Sequence, residues 1–440
     1  LNEYEADNSP EWQEWKAAKE AELQGLDRLH CWDIVDSKQA EGQKLYNGKF
    51  CFTLTPPANG QPQRYKARWV ISDPKWTQRI SGIETYAPTV RMETLRYVMA
   101  QTVQRRWQLI EIDICNAFVT STLDKPVFMK LPKMLQARHG PDKVAKVYKA
   151  LYGLAYSPRS FHDHLNTWFK ANKYVQSTAD SCLWISLDND NIQGCILEWV
   201  DDCVAAGTPE FIDNFRTNIT KQFQIRDYGN PTDFVGMQVS YCTDSGTLKL
   251  YQQKYIEKLG IRYGIYTDET TQDSPIPMNC TVRLHPAIPG EPRADAHEFR
   301  SIVGALHYAA HCVRPEIAAP ISLLSKYLTD PTVTHLKQAR HILQYLMATK
   351  TMGLTYRLEH TQTIDASRNI HLKPNILTGF ADATWADDPA NRRSQSGYAF
   401  MLNGAAVSWS SHQQQQVSNS SSEAEFRAYN DAAREALFLR

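Results

Sequence analysis

The sequence lacks the marks of a disulfide-stabilised or membrane-spanning protein. Its nine cysteines include no CxxC pair, which argues against a disulfide framework or a zinc knuckle and indicates a reducing, intracellular compartment. No apolar run approaches the roughly 18 residues that a helix needs to span a bilayer, so we expect no membrane partner. Lysine plus arginine and aspartate plus glutamate number 48 each, so any surface for nucleic acid must be local.

The length of the chain predicts more than one compact unit. At 440 residues it exceeds the usual size of one domain, and we expect two to four units. Hydrophobic residues make up 42% and aromatic residues 11% of the chain, enough to bury globular cores. The chain begins at Leu1 and stops at Arg440 inside an alanine-rich, helix-like stretch. We therefore expect a fragment or a processed product of a longer protein.

Two stretches show the alternation of polar and apolar residues that is typical of half-buried strands. From Gln108 to Ile114, isoleucines alternate with polar residues, and Asp113 falls on the polar face. An apolar stretch from Gly194 to Val200 breaks at Asp201-Asp202 and resumes from Cys203 to Ala206. This second pattern predicts a hairpin that presents two carboxylates at its tip.

Carboxylates that converge on one face of a sheet repel one another, and such a cluster persists mainly where divalent cations neutralise it. Two magnesium ions about 3.5 to 4 Å apart can activate an attacking hydroxyl and hold a leaving pyrophosphate in line, which is polymerase chemistry. A doubled aspartate alone is weak evidence, and Asp387-Asp388 is interpreted as a turn. The hairpin setting of Asp201-Asp202, with Asp113 on another strand, favours a metal site.

The segments around these aspartates resemble copia-type reverse transcriptases, from near the first residue of the chain to the last. The resemblance implies an α+β fold, that of a right-hand polymerase with fingers, palm and thumb, followed by a connection segment and a truncated ribonuclease H-like fold. It assigns fingers and palm to residues 1–240, thumb and linker to 241–295, connection to 296–375, and the N-terminal part of ribonuclease H to 376–440. The matching segments, in the order of that family, are RYKARWV, YAPTVRMETLR, IEIDICNAFVTSTLDKPVFMKLP, VYKALYGLAYSPRSFHDHL, WVDD, FQIRDYG, FVGMQV, LKLYQQKYIEKL, FRSIVGALHYA, RPEIA, TGFADATWADD, RRSQSGY, VSWSSHQQQ and SSSEAEF.

The resemblance also implies the catalytic residues and the cofactor. Asp113 and Asp201 are similar to the two palm carboxylates that hold the metal ions, and Asp202 is similar to their supporting neighbour. The implied cofactor is a pair of Mg²⁺ ions, for which Mn²⁺ can substitute. The implied reaction is RNA-directed DNA synthesis, in which a primer on an RNA or DNA template is extended from deoxynucleoside triphosphates.

Five further residues match positions that contact the nucleotide or template in this family. Lys66 and Arg68 resemble the basic pair that clamps the triphosphate; without that resemblance, a solvated strand face is the better interpretation. Phe118 resembles the aromatic steric gate that excludes a ribose 2′-hydroxyl; the alternative is a core phenylalanine. Gly153 and Pro158 match the motif that lines nucleotide and template, where glycine permits close backbone approach.

Near the end of the chain, Asp382 and Glu425 resemble the first two of the four carboxylates of ribonuclease H. The other two have no counterpart before Arg440, so we expect no RNA cleavage by this chain. The expected partners are an RNA or DNA primer–template, deoxynucleoside triphosphates and other regions of a Pol polyprotein such as integrase. The expected location is a cytoplasmic virus-like particle, with access to the nucleus left open.

The sequence departs from the family at three places. Trp199 stands where tyrosine or phenylalanine usually precedes the palm aspartates, Ala155-Tyr156 replaces Lys-Gln, and residues 71–75 replace a basic, glycine-containing segment. The last two changes remove groups that would face polyanionic ligands. A catalytically decayed or domesticated nucleic-acid-binding protein is therefore the alternative hypothesis. A nuclease is a second alternative, against which the missing carboxylates argue.

Overall fold

The computed structural model describes residues 1–55, 63–73, 84–266, 276–278, 282–358, 362–365 and 370–440, and gives the backbone alone for 362–365 and 370–371. Residues 74 and 75 of the replaced segment lie outside this part of the chain. Within the described ranges, no helix is both long and apolar enough to cross a bilayer.

The first half of the chain alternates helices with mostly antiparallel strands. The predicted strand from Gln108 to Ile114 and the predicted hairpin are both present. The elements are α1 (Glu3–Asp7), α2 (Trp12–Arg28), β1 (Trp32–Asp36), β2 (Leu45–Tyr46), β3 (Gly48–Thr55), β4 (Arg64–Ile71), α3 (Met92–Gln104), β5 (Gln108–Ile114), β6 (Thr122–Lys130), α4 (Lys133–His139), β7 (Lys143–Lys149), α5 (Ser157–Ala171), β8 (Val175–Gln176), β9 (Leu183–Asp188), β10 (Asn191–Trp199), β11 (Asp202–Gly207), α6 (Pro209–Gln222) and β12 (Ile225–Gly229).

The second half contains a small sheet, a group of helices and a final sheet with one long helix. The elements are β13 (Asp233–Phe234), β14 (Met237–Cys242), β15 (Thr247–Tyr251), α7 (Gln253–Tyr263), α8 (Ala296–Cys312), α9 (Ala318–Leu324), α10 (Val333–Ala348), β16 (Gly353–Arg357), β17 (Gln362–Asp365), β18 (Ile370–Leu372), β19 (Thr378–Thr384), β20 (Gln395–Leu402), β21 (Ala405–Gln413) and α11 (Ser421–Leu439).

A central antiparallel sheet positions the predicted carboxylates. Its strand order is β12-β5-β11-β10-β9-β8. Ile110, Ile112 and Ile114 of β5 enter a core formed with α5 and α6, and full burial of each such side chain stabilises the fold by roughly 1.5–3 kcal/mol. Asp113 points to the opposite face, because successive residues of a strand alternate sides. Helices α5 and α6 therefore cover the face of the sheet opposite to the one that carries Asp113.

A front unit, formed by two small sheets and α2, packs as a separate core. One sheet has strand order β1-β7-β6-β2, and the other is the β3–β4 hairpin. Leu23 and Leu26 of α2 are buried with Trp69 of β4 and Val147 of β7. The Glu22 side chain of α2 also accepts a hydrogen bond from the Trp69 backbone amide at 3.1 Å. These contacts fix β4, which carries the predicted basic pair.

The helices α7, α8, α9 and α10 share one hydrophobic core. The sheet β13-β14-β15-β16 contributes residues to the core that also contains residues of β5 and β11. Helix α7 falls in the predicted thumb and linker, 241–295, whereas α8 to α10 fall in the predicted connection, 296–375. These boundaries stay a prediction, but the shared core means that the four helices pack as one unit.

The terminal unit consists of the sheet β19-β20-β21 and helix α11, which packs against β19 and β20. Phe400, Leu402 and Val407 of this sheet are buried in the same core as Leu95 and Val98 of α3. The terminal unit therefore packs directly on the helix that precedes the central sheet.

Candidate active site

The predicted hairpin closes with a two-residue turn that presents Asp201. Trp199 and Asp202 are the last paired residues of β10 and β11, so Val200 and Asp201 form the turn. Val200 has a φ of 58°, a left-handed conformation that is strained for a β-branched residue. The Asp201 carbonyl accepts a hydrogen bond from the Ile114 amide at 2.9 Å, which ties the turn to the end of β5.

Asp113 lies beside this turn on the neighbouring strand. Asp113 and Asp202 are directly opposite in the β5–β11 pair, so their side chains share one face of the sheet. Burial, followed by the charges of Asp201 and Asp113, raises the pKa of Asp202 to about 6. Burial is also the main cause that raises the pKa of Asp201, with a further contribution from Asp113. The three predicted carboxylates are thus brought together, while their roles stay predictions.

Glu111 extends this acidic face and is absent from the set predicted from the sequence. It precedes Asp113 by two positions on β5 and therefore lies on the same face. Burial first, then the charges of Asp202, Asp233 and Asp113, raises the pKa of Glu111 to about 7. The i, i+2 spacing of two acids on an alternating strand is the signal in the sequence that points to Glu111.

Arg226 of β12 is a counter-ion that sequence reasoning also missed. It lies directly opposite Asp113 on the other side of β5, and its Nη1 is 3.1 Å from Asp113 Oδ2. The two residues are 113 positions apart. Because the contact depends on the pairing of strands that are distant in the sequence, no local sequence pattern predicts it.

The basic side chains of β4 lie within electrostatic range of Asp201. Lys66 and Arg68 both act to lower the pKa of Asp201, and the Arg68 guanidinium lies 4.8 Å from the ring centroid of Tyr152. Burial, followed by the charges of Arg68 and Arg226, lowers the pKa of Lys66. Because these cations repel one another, an anionic ligand would stabilise the cluster.

Phe118 lies just after β5, between the front unit and the central sheet. Its ring centroid is 4.9 Å from that of Tyr152 and 6.3 Å from that of Phe161. The side chain packs against both adjacent cores but is only partly buried. Phe118 therefore combines a packing role with an accessible edge near the carboxylates.

Gly153 and Pro158 shape the loop that leads into α5. Gly153 has a φ of 87°, and a Cβ there would lie 2.2 Å from the Ile71 carbonyl oxygen of β4. The Ile71 amide donates a hydrogen bond to the Tyr152 carbonyl at 2.9 Å. Within the chain, Gly153 thus allows a close approach to the β4 backbone, whereas the predicted approach to nucleotide and template stays a prediction. Pro158 occupies the first turn of α5, where its fixed φ favours helix initiation.

Comparison with known protein families accounts for this arrangement. The family described as reverse transcriptase (RNA-dependent DNA polymerase) matches residues 29–278, more than half of the chain and all of the carboxylates and cations described above. This chain belongs to the reverse transcriptase family. The copia-type resemblance of its segments is confirmed by the relatives that it matches.

Several relatives of this chain are retrotransposon proteins. The retrovirus-related Pol polyprotein from transposon RE1 of Arabidopsis thaliana is 29% identical over 97% of this chain, which spans 28% of that relative. The Pol polyprotein from transposon TNT 1-94 of Nicotiana tabacum is 26% identical over 98% of this chain, which spans 32% of that relative. A putative transposon Ty5-1 protein of Saccharomyces cerevisiae is 30% identical over 68% of this chain and 92% of its own length.

A solved reverse transcriptase structure shares the fold. It is the foamy viral protease-reverse transcriptase dRH in complex with ds DNA, with a TM-score of 0.50 and 12% sequence identity, covering 97% of this chain and 61% of that one. At this identity the likeness concerns the fold alone, and the predicted α+β reverse transcriptase fold is confirmed.

The carboxylates fit the divalent metals that reverse transcriptases generally use. Asp113, Asp201 and Asp202 offer oxygen ligands, which Mg²⁺ prefers, and their mutual effect on pKa reflects repulsion that a cation would relieve. Within the described residues, the group of three side chains whose ligand atoms all lie within 4.8 Å of one another is a different one, and all of its members are buried. Its members are His162, Cys182 and Glu198.

The predicted ribonuclease H residues lie on adjoining elements of the terminal unit. Asp382 is exposed on β19, and Glu425 is partly exposed on α11. Their roles, and the absence of RNA cleavage, stay predictions. In the second doubled aspartate, Asp388 is buried, pairs with Lys326 at 3.0 Å and accepts a hydrogen bond from the Ala390 amide. These contacts match the interpretation of this pair as a turn.

Proposed function

We propose that this chain is the RNA-directed DNA polymerase of a copia-type retrotransposon. It would extend a primer on an RNA or DNA template by two-metal nucleotidyl transfer from deoxynucleoside triphosphates. The observation that carries the proposal is that Asp113, Asp201 and Asp202 lie at one end of the central sheet, where Asp113 raises the pKa of Asp201 and both raise the pKa of Asp202. Such repulsion is tolerated where a divalent cation binds.

Each of the other site residues has a role in this proposal. Asp113 and Asp201 would hold two Mg²⁺ or Mn²⁺ ions, which when bound activate the primer hydroxyl and stabilise the leaving pyrophosphate. Lys66 and Arg68 would bind the triphosphate, since both lie within electrostatic range of Asp201. Gly153 keeps β4 against the loop before α5. Pro158 begins that helix beside the template path.

The decisive experiment replaces the metal-binding carboxylates one at a time. Asp113→Asn and Asp201→Asn should each reduce Mg²⁺-dependent primer extension to the background of the assay, because an amide cannot supply the negative charge that the cation needs. Asp227→Asn is the matched control, since Asp227 of β12 forms its ion pair with Arg216 of α6, at 2.6 Å. Extension by either site variant at the wild-type rate would refute the assignment.

Phe118 is proposed as the steric gate for the sugar. Its partly buried ring is held by Tyr152 and Phe161, so its accessible edge has a fixed position. Phe118→Val should shift the ratio of ribonucleotide to deoxynucleotide incorporation towards ribonucleotides, because the smaller side chain leaves room for a 2′-hydroxyl. An unchanged ratio in an otherwise active variant would leave Phe118 as a core residue.

The second candidate function is binding of primer–template without synthesis. It is favoured by Ala155, which stands in place of the family's lysine and is 9% exposed, so this position offers no charge to an incoming triphosphate. Salt-sensitive binding to an RNA–DNA hybrid without incorporation in Mg²⁺ or Mn²⁺ would select this candidate. A duplex partner is consistent with the foamy viral relative, which was solved with ds DNA. Interaction with integrase and location in a virus-like particle stay predictions.

A further inference from the structure

The turn that carries Asp201 is strained, so contacts with neighbouring residues must stabilise its conformation. Val200 is β-branched and has a φ of 58°, a conformation that persists where the surrounding structure over-determines it. Where the chain leaves the turn, the Asp201 carbonyl accepts a hydrogen bond from the Ile114 amide. The strand that enters the turn requires an equivalent anchor.

Glu198 lies at the end of that entering strand. The pairing of β10 with β9 ends at Leu197, so the backbone beyond it depends on other contacts. The Glu198 amide donates to the Cys182 carbonyl at 2.9 Å, and the Glu198 carbonyl accepts from the Val90 amide at 3.1 Å. Its side chain is 1% exposed and points into the space between the sheet and α5.

The buried Glu198 carboxylate is held by side chains from two elements. Its Oε1 lies 2.6 Å from His162 Nδ1 of α5, and its Oε2 accepts from Trp184 Nε1 of β9 at 3.4 Å. His162 Nε2 lies 2.9 Å from Asn166 Nδ2, whereas Asn166 Oδ1 is buried and has no hydrogen-bond partner among the described residues. Exchanging the two ends of the amide, which have nearly the same shape, would let Oδ1 accept a hydrogen bond from Nε2.

His162 Nδ1 lies at hydrogen-bond distance from the Glu198 carboxylate, and the two side chains form a buried histidine–carboxylate pair. A short charge-assisted hydrogen bond of this kind is among the stronger polar contacts in proteins. Loss of one partner leaves the other buried and unpaired, which is costly. The pair therefore joins α5 rigidly to the strand that enters the turn.

We propose that Glu198 and His162 are positioning residues of the polymerase site, which hold the strained Val200–Asp201 turn by anchoring β10 to α5. Neither residue touches the carboxylates that would bind metal. The inference deepens the proposed function and rests on it, because the anchored turn is the one that presents Asp201.

A zinc site is the competing explanation, since Cys182 Sγ lies within 4.8 Å of the ligand atoms of both Glu198 and His162. Two ligands of one tetrahedral zinc, each at about 2.0 Å, would be roughly 3.3 Å apart. The observed 2.6 Å between Nδ1 and Oε1 is instead the distance of a direct hydrogen bond. The geometry therefore favours the pair over the ion.

Hydrogen–deuterium exchange tests the anchor without substrates. In the full chain without primer, nucleotide or metal, Glu198→Gln and His162→Gln should speed amide exchange in residues 199–203 by tenfold or more. Asn166→Asp should keep wild-type exchange, because its carboxylate can accept a hydrogen bond from His162 Nε2 and leaves the contact between Nδ1 and Glu198 in place. Asp180→Asn is the matched control: it removes another buried palm carboxylate, bound to the Arg91 and Cys182 amides and to Thr94.

Primer extension tests the consequence for the site. Glu198→Gln should lower kcat by tenfold or more with little change in KM for the primer–template, since the turn and not the duplex surface is disturbed. Adding Val200→Gly should recover part of that loss, because glycine adopts positive φ without strain. A merely structural role for Glu198 predicts no such recovery.

The outcomes separate the two proposals. Unchanged exchange at residues 199–203 in both Glu198→Gln and His162→Gln would overturn the anchor, as would one equivalent of zinc in the purified protein that disappears in Cys182→Ser. Faster exchange confined to 199–203 would support the anchor even if the wild-type chain extends no primer. That last combination would contradict the proposed function alone.

Discussion

At the scale of single residues, Asp113 is defined as much by its counter-ion as by its partners in the acidic cluster. Arg226 Nη1 lies 3.1 Å from its carboxylate, and the two side chains are 44% and 19% exposed. A pair this exposed contributes little to stability, commonly about 0.2–1 kcal/mol. Its main effect is therefore local, because the guanidinium occupies an oxygen atom that a metal ion would otherwise bind.

We predict that Arg226→Gln tightens the binding of Mn²⁺ to the nucleotide-free protein by about two- to fivefold, the factor that corresponds to losing roughly 0.5–1 kcal/mol of competing ion pair. Titration followed by electron paramagnetic resonance measures the free ion directly. Arg216→Gln is the control, since Arg216 of α6 pairs with Asp227, the residue that follows Arg226 on β12. Weaker or unchanged binding in Arg226→Gln would show that the arginine does not compete with the metal.

At the scale of elements, the site depends on the contact between β4 and the loop before α5. This contact places Lys66 and Arg68 within electrostatic range of Asp201. It is made by two backbone groups, the Ile71 amide and the Tyr152 carbonyl, and by the absence of a side chain at Gly153. A small change in this loop would therefore move the whole basic strand.

We predict that Gly153→Ala destabilises the protein more than Gly140→Ala does. Both glycines have positive φ, 87° and 103°, but a Cβ at Gly140 meets no atom within 4 Å, whereas one at Gly153 collides with the Ile71 carbonyl. Gly140→Ala should cost about 1–3 kcal/mol from strain alone, and Gly153→Ala should cost more. Urea unfolding measures both values, and equal losses would mean that the loop moves away from β4 freely.

The sequence was informative for individual elements but not for their partners. The alternation in residues 108–114 predicts β5 with its bounds as observed, because the burial of alternate residues is a local property of a strand. The hairpin around Asp201-Asp202 follows in the same way. The environment of Glu198 could not be predicted in this way. An acidic residue in an apolar strand does not indicate which histidine of α5 will form a hydrogen bond with it.

At the scale of the whole molecule, Arg96 joins three parts of the chain. It lies on α3 and is 1% exposed, and it donates hydrogen bonds to the carbonyls of His311, Cys312 and Val407. Its guanidinium also stacks 3.9 Å from the ring centroid of Trp409 and pairs with Glu93. Helix α3, the end of α8 and the terminal sheet are thus held by one buried cation.

We predict that Arg96→Met lowers the free energy of unfolding by about 3–5 kcal/mol, the usual loss when one partner of a buried charged pair is removed. It should also make residues 378–440 more susceptible to limited proteolysis, because their carbonyl contacts to α3 are lost. Arg314→Met is the control: Arg314 is equally buried, but its hydrogen bonds go to Glu316 and Thr349 near the helical unit. Equal susceptibility of residues 378–440 in both variants would argue against a joining role for Arg96.

The sequence by itself determined the family, the strand that carries Asp113, the hairpin that carries Asp201, and the residue types that suit a magnesium site. Each of these properties depends on short, local segments of sequence. Only the tertiary structure decided that Arg226 faces Asp113, that Glu198 meets His162, and that Arg96 joins the terminal unit to α3. The physical reason is that each of these contacts brings together side chains from distant segments. Their electrostatic and packing energies exist only after the sheets have paired and the cores have closed.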